Sequence, residues 1–370
     1  VERQRGGARG ERAVSRIDVV VPCYNYARFL PRCVESLLSQ EGVDVRVLVI
    51  DDASSDATPE VGRALAAAHP RVEFRRHETN QGHIATYNEG LLGWATSEYS
   101  LLLSADDVAA PGAFRRAVGL MDAHPGMGMA YGRALVIEDD SDLPALPAGA
   151  PVESRVLSGA DFIAHCCEGA YCPVSTPTAI VRTAAQQDRG GYSADLPHSA
   201  DLEMWLRFAV RGPIGVLRNV QAFYRWHQAN MGAAYYNQVL GDRREFMVAV
   251  ERVIVGHAGR FPDARRWLDA VHARVAIQAA RSANKSFDAG DDEACRAWQS
   301  LAREVWPGIV GTPLWWRSRV KQWLGRPLLG RVRRVTYRLR GLPAPVAAEP
   351  VTHFRGFRPG DHVGWWPGSD

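Results

Sequence analysis

No apolar run in this 370-residue chain approaches the roughly 20 residues that cross a bilayer, which excludes a membrane-spanning helix. The first residues, VERQRGGARGERAVSR, are basic and glycine-rich without an apolar centre, so they are not a secretory signal. They read as a disordered leader over 1–15. Cysteine is scarce: six residues do not make a disulfide framework in a chain this long. Cys166, Cys167 and Cys172 cluster beside His165 but have no partner group at zinc-site spacing, and they read as buried thiols. A large charge of one sign is also missing. The net charge of +3 does not by itself imply a nucleic-acid partner, and the reading expects none. Glycine is absent where it would be diagnostic. The turn PCYNYARF (Pro22–Phe29) contains none, which excludes a dinucleotide-binding turn, and no Gly-Lys-Ser/Thr phosphate loop occurs. With 46% hydrophobic and 23% charged residues a soluble globular protein is expected, and the free cysteines with no secretory signal make a cytoplasmic one the expectation.

A regular alternation is present from Ile17 onward. IDVVV (Ile17–Val21), VRVLVI (Val45–Ile50), VEFRR (Val72–Arg76) and YSLLL (Tyr99–Leu103) read as strands. Helical patterns separate them at Ala27–Ser39, Thr58–Ala68 and Ile84–Trp94, and Pro111 opens another toward Asp122. Strands that are solid apolar runs between helices predict a mostly parallel α/β sheet covered on both faces. Glu138–Ala150 reads as a polar, proline-rich loop. Beyond it come a helix at Gly159–Cys167, a strand at Thr178–Arg182, a helix at Asp201–Gly212 and strand-like stretches at Ile214–Leu217 and Ala222–Trp226. The chain then reads as helical from about Tyr235 to Arg303. Ligands of such sheets bind at the carboxyl ends of the strands. That rule gathers Pro22–Asn25, Asp51, Asp52, Asp106 and Asp107 along one edge. Two adjacent carboxylates at the end of an apolar strand repel each other and resist burial, so Asp106 and Asp107 need a purpose; the alternative is a solvated acidic helix entry.

These motifs, in this order, resemble the family 2 glycosyltransferases of the inverting GT-A type. The resemblance runs through VLVIDDASSDAT, NQGHIATYNEGL, YSLLLSADDVAAPGAF, GGYSADLPHSADLEMWLRFA and FYRWH, roughly Ser15 to Gly232. It implies an α/β fold with a Rossmann-like mixed sheet flanked by helices, followed by a helical C-terminal extension. The implied organisation is a nucleotide-sugar-binding half over 16–135 and an acceptor-binding half over 136–232. A helical extension over 233–305 and a basic, tryptophan-rich tail over 306–370 complete it. The resemblance assigns Pro22 and Tyr24 to the nucleoside pocket, Asp52 to the base, and Asp106 and His83 to the donor as well. Ser54, Ser55 and Asp56 read instead as a helix cap.

By the same resemblance Asp106 and Asp107 bind Mg2+ or Mn2+, whose charge offsets that of the departing diphosphate, and His227 completes the metal shell or meets the diphosphate. Many relatives carry an aspartate where this chain has Ser104. Asp201 inherits the role of catalytic base, which takes the proton of the attacking acceptor hydroxyl; the acid that usually precedes it is Ala200 here. A bare helix cap is the competing role for Asp201, and Glu203 is a competing carboxylate. Trp205 and Arg207 read as core and surface of that helix. The donor expected is a UDP- or dTDP-sugar and the acceptor a saccharide or a lipid-linked one, in surface polysaccharide synthesis. A nucleotide-sugar-binding protein without catalysis and a membrane-associated scaffold are the rival functions. Between Gly311 and Gly341 nine basic residues interleave with tryptophan and leucine and no acidic residue occurs. This makes an anionic membrane surface a candidate partner, at which the protein would sit peripherally. Pro313 and Pro327 are expected to break any long helix there.

Overall fold

The computed structural model describes residues 14–138, 143–147, 149–227, 230, 239–340 and 357–367. The expected leader therefore lies almost wholly outside the described residues, as do 139–142 and 148 of the expected loop. Strands β1 (Arg16–Cys23), β2 (Asp44–Asp51), β3 (Val72–Arg76) and β4 (Tyr99–Leu102) alternate with helices α1 (Leu30–Leu38), α2 (Thr58–Ala68) and α3 (His83–Asn88). After β4 come β5 (Val108–Ala109), α4 (Ala113–Ala123), β6 (Met129–Ile137), β7 (Ser154–Leu157), α5 (Gly159–Gly169), β8 (Ile180–Arg182) and α6 (Thr183–Arg189). Helix α7 (Ala200–Arg211) and strand β9 (Ile214–Arg225) follow, and β9 joins the two strand-like stretches into one.

The sheet order is β3-β2-β1-β4-β8-β6-β9-β5, with β7 on β9 and a late strand, β10 (His362–Val363), on β6. The first four strands are parallel. The sheet is mixed beyond them, so a mostly parallel reading holds only for this half. Strand β8 runs antiparallel to both β4 and β6. Strand β6 and its parallel partner β9 therefore point the same way as β1–β4, and the carboxyl end of β9 reaches the same edge as those of β1, β2 and β4.

The pleat sends alternate residues to opposite faces. Val19 and Val21 pack with Leu30 and Val34 of α1 and Phe114 of α4. Val20 packs on the other side with Phe162 of α5 and with Trp205 and Phe208 of α7. The segment expected as one helix over Ile84–Trp94 changes pitch: α3 continues as a π-helical turn at Glu89–Trp94. Gly90 there lies against Val20, where an added Cβ would come within 2.4 Å of a methyl carbon. Only glycine lets this turn approach the sheet so closely.

The helical region comprises α8 (Val239–Gly256), α9 (Ala264–Ala289), α10 (Asp292–Val305) and α11 (Pro313–Leu339). Pro313 opens α11 rather than breaking it, as proline is suited to do at a first helical position. The break falls at Gly325, which adopts φ 72° and ψ 155°. Among the described residues no helix is long and apolar enough to cross a membrane.

Candidate active site

The buried end of β4 runs into a turn at Ser104–Asp107, closed by the Asp107 amide donating to the Ser104 carbonyl (3.0 Å) and anchored by the Ala105 amide on Pro22 (3.2 Å). Asp106 and Asp107 are both buried. Arg225, wholly buried at the end of β9, answers them from across the edge. Its amide donates to Asp107 Oδ1 (2.9 Å) and its Nε to the Asp106 carbonyl (2.8 Å). The guanidinium also lies 4.5 Å from the ring centre of Phe29, within cation–π range. Burial pushes the Asp107 carboxyl well above the usual carboxylate range and the neighbouring Asp106 charge adds to this; the amide and charge of Arg225 only partly oppose it.

Asp106 turns its carboxylate toward His227. Its Oδ2 lies 3.2 Å from His227 Nε2 and accepts a bond from Asn230 Nδ2 (3.1 Å). The Tyr26 hydroxyl bonds the same carboxylate, and burial together with the Asp106 and Asp107 charges raises its pKa strongly. The His227 ring packs between Tyr26 (5.5 Å, perpendicular) and Phe29 (5.3 Å), and its Nδ1 is buried without a hydrogen-bond partner. The structure thus brings Asp106 and His227, 121 positions apart in sequence, into contact, while Asp107 spends one oxygen on the backbone of β9. Among the described residues no group of three or more His, Cys, Asp or Glu side chains is gathered as a metal cage.

The donor-side candidates divide. Tyr24 is half exposed at the end of β1, beside the partly buried Pro22. Asp52 is buried and already accepts three bonds: from His77 Nδ1 (2.7 Å), the Gln81 amide (2.7 Å) and the Gly82 amide (2.9 Å). His77 continues to Glu89 Oε2 (2.8 Å). Burial pulls the His77 pKa down, but the bonds to Asp52 and Glu89 outweigh it and hold the imidazole above its ordinary value. His83 faces the loop before α7, with Nε2 3.0 Å from the Pro197 carbonyl. Burial lowers its pKa, which favours the neutral ring. Ser54, Ser55 and Asp56 are not the cap of α2, whose N-cap is Ala57 without a side-chain cap bond. Instead Ser54 Oγ accepts the Asn25 amide (2.8 Å) and Asp56 Oδ2 the Ala27 amide (3.0 Å), which ties the first two edge loops together.

Asp201 lies in the first turn of α7 without capping it in the usual sense. Its Oδ1 accepts the amide of the next residue, Leu202 (2.6 Å), and Oδ2 accepts the Thr176 hydroxyl (3.2 Å). Burial pushes its carboxyl up to about 6; those two bonds oppose the rise and the Asp242 charge on α8 adds to it. A carboxylate poised there is deprotonated at neutral pH yet basic enough to take a hydroxyl proton as the bond forms. Glu203 is committed elsewhere, paired with Arg207 (2.7 Å) and bonded by Ser193 (3.2 Å). Arg207 is not a simple surface residue, since it also bonds the Arg189 and Gly191 carbonyls. Trp205 is core, as its spacing suggested, and Ala200 is buried with it. The sequence reading missed Tyr26, Asn230, Thr176, His77 and the bridging role of Arg225. Arg225 alone had a signal, its place in YRWH.

The mixed sheet agrees in fold with a solved structure. The chain superposes on Staphylococcus aureus TarS residues 1–349 in complex with UDP-GlcNAc with a TM-score of 0.52 at 16% identity, over 80% of this chain and 92% of that one. The fold is that of the GT-A enzymes. Residues 18–152, about a third of the chain, match glycosyl transferase family 2. The succinoglycan biosynthesis protein ExoO of Rhizobium meliloti is 37% identical over 158 residues, which are 39% of this chain and 44% of ExoO. The putative glycosyltransferase EpsE of Bacillus subtilis is 26% identical over 206 residues, 53% of this chain and 68% of EpsE. The chain thus spans under half the length of ExoO.

The Asp201 environment has a measurable consequence. With a native pKa raised to about 6 from an unfolded value near 3.9, the folded state binds the proton more tightly. Stability therefore falls as pH rises through that window and stays reduced above it. Asp201→Asn is expected to be more stable than the parent at pH 8, by on the order of 1–2 kcal/mol after allowance for partial solvent screening, with the difference shrinking toward pH 4. Urea unfolding at the two pH values checks this, and a pH-independent difference would contradict it.

Proposed function

We propose that the chain is a metal-dependent inverting glycosyltransferase. It would move a sugar from a UDP- or dTDP-sugar to a hydroxyl of a saccharide or lipid-linked acceptor, in surface polysaccharide synthesis. The observation that carries the reading is the meeting of Asp106 and His227 at the ligand-binding edge. Two cis positions of an octahedral ion with ligands at about 2.1 Å lie about 3 Å apart, and the donor atoms here are separated by 3.2 Å. One or two carboxylates, with the remaining positions left to diphosphate and water, are the usual protein ligands of Mg2+ at phosphate sites, and Asp106 supplies one. The residues present therefore fit Mg2+ or Mn2+, with Asp107 behind them as a buried second carboxylate. When bound, the cation supplies a positive charge to the leaving diphosphate.

The remaining chemistry belongs to the chain. Pro22 and the exposed Tyr24 ring offer the nucleoside a surface in the half over 16–135, and Asp52 holds the loop at Gln81–Gly82 in place beside it. His83 links that half to the loop before α7. Asp201, in the half over 136–232, takes the acceptor proton while Thr176 orients its carboxylate, so that the hydroxyl attacks opposite the nucleotide. The use of TarS in a complex with UDP-GlcNAc and the name of ExoO support the donor type and the polysaccharide role. A binding-only protein is the weaker reading. Ser104 contributes its backbone carbonyl to the carboxylate turn, and Ala200 packs into the core. Calorimetry with UDP tests the metal assignment. Mn2+ is expected to raise UDP affinity at least tenfold, and Asp106→Ala or His227→Ala to abolish that gain. Equal affinity with and without Mn2+ would overturn it.

We further infer that α11 seats the enzyme on an anionic membrane. Its inner face packs through Trp315, Leu314 and Leu329, and Lys321 and Arg326 pair with Asp288 and Asp292. Residues advance about 100° per step on a helix. Trp316, Val320 and Trp323 thus share one outward stripe, as do Leu328, Val332, Val335 and Leu339 beyond the kink. All seven are exposed, Trp323 by 84% and Leu339 by 83%. Exposed Arg317, Arg319, Arg331 and Arg338 flank the stripe. An apolar stripe rimmed by arginine suits anionic headgroups, whereas a two-fold contact with a second copy would bring like charges together. The full chain is expected to float with vesicles containing phosphatidylglycerol but not with phosphatidylcholine alone, and Trp316→Glu with Trp323→Glu to lose flotation. Flotation independent of lipid charge, or a dimer broken by the same substitutions, would contradict this.

A further inference from the structure

Residues 357–367 return to the sheet after the whole helical region. Strand β10 pairs antiparallel with β6, His362 opposite Leu135 and Val363 opposite Ala134. Strand β8 covers that flank of β6 only at Met129 and Ala130, so β10 takes over where β8 stops. The Val136 amide donates to the Asp361 carbonyl (2.8 Å) and the Gly360 amide to the Val136 carbonyl (3.0 Å). These bonds satisfy backbone groups that an open strand would leave exposed.

The segment then reaches the loop that faces Asp201. The Trp365 amide donates to the Pro173 carbonyl (2.9 Å), and the indole stacks on His165 with ring centres 3.5 Å apart and planes inclined at 23°. His165 is bonded in turn to the Tyr171 hydroxyl (2.5 Å). Gly364, at φ 94°, lies so close to β6 that a Cβ would meet the Gly132 carbonyl oxygen at 2.7 Å. Gly132 exchanges two bonds with Thr178 Oγ1 (3.3 and 3.0 Å), and Thr176, two residues earlier, carries the hydroxyl that bonds Asp201. At its other end the segment sets Phe357 edge-on against Tyr224 (5.9 Å) and Trp226 (5.3 Å), next to His227.

We propose that residues 357–367 are a strap that completes the acceptor half of the active site by clamping the 172–178 loop onto β6 and so positioning Asp201. The inference rests on the glycosyltransferase reading above. A loop pinned by the Trp365 amide at the Pro173 carbonyl and by the Thr178 hydroxyl at Gly132 keeps Thr176 on the carboxylate and water away from it. The titratable groups facing Asp201 are Cys172 on the clamped loop, Tyr192 before α7 and Asp242 on α8. None belongs to the strap, so releasing the strap acts through position and hydration rather than through a lost charge.

Gly364→Val in the full chain forces β10 off Gly132, and Trp365→Ala removes the stacked ring without a clash. Loss of hydrogen-exchange protection at the Val136 amide reports release of the strap. In both variants UDP affinity is expected to stay within twofold of the parent and the acceptor KM to rise at least fivefold. Water reaching the carboxylate removes the largest cause of its raised value and outweighs the lost Thr176 bond, so the acidic limb of kcat is expected to move from near 6 toward the ordinary carboxylate value of about 4. The Asp201 carboxyl carbon, titrated by NMR, is expected to shift in the same direction, and this readout requires no turnover. An unchanged Asp201 titration in a chain whose strap is released overturns the inference, whether or not the chain transfers sugar. Loss of UDP binding together with acceptor binding overturns it as well, because the strap would then be a general structural support. A parent that binds UDP but transfers nothing, with an Asp201 titration that still depends on the strap, counts against the glycosyltransferase reading alone.

Discussion

One buried cation joins the two ends of the site. Arg225 has no exposure and bonds both members of the Asp106–Asp107 pair, one through its amide and the other's carbonyl through its guanidinium. A buried charge is tolerated when it is paired and hydrogen-bonded, and it is costly when its partner is removed. The bonds therefore hold the turn after β4 against the end of β9, and His227, two residues past Arg225, inherits its position from them. Burial raises the Asp107 carboxyl most and the neighbouring Asp106 charge adds to this, with Arg225 only partly opposing both. In the proposed function a divalent cation at Asp106 would offset that charge, so ligand binding and local electrostatics would favour the same state.

The other carboxylates of the edge are set apart by their surroundings. Asp52 already accepts three bonds and shares a histidine with Glu89, which suits an anchor. Asp201 has two donors and a carboxyl pushed up to about 6 by burial, which suits proton transfer. Environment separates the roles of chemically identical groups here. The C-terminal strap extends the same logic: a backbone bond from far along the chain holds the loop whose Thr176 hydroxyl bonds Asp201.

Much of this was legible in the sequence where the signal is local. Solid apolar runs marked β1 to β4, and α2 and β3 begin and end where their patterns do. The SADD stretch drew attention to Asp106 and Asp107 because two charges at the end of an apolar run are conspicuous at short range, whereas the roles expected of Asp52 and Asp201 came from the family resemblance. Strand β6 escaped notice because Gly132 and Arg133 interrupt its apolar run at a register shift. The π-helical turn at Glu89–Trp94 has the same apolar spacing as an α-helix over so few residues. Strand β10 has only two residues and no alternation to read. Contacts such as Asp106 with His227, Asn230 and Arg225 depend on sheet order, which no local pattern contains. Arg207 looked like surface because a charged residue on a helix usually is, yet here it bonds the loop at Arg189–Gly191.

The most direct measurement is anomalous diffraction at the manganese edge from crystals grown with UDP and Mn2+. A single peak about 2.1–2.3 Å from both an Asp106 carboxylate oxygen and a His227 ring nitrogen, with the diphosphate on its open side and Asp201 facing that ligand, is the expected result. UDP bound at the edge with no peak at Asp106 and His227 would contradict the cation site on which the proposed chemistry rests.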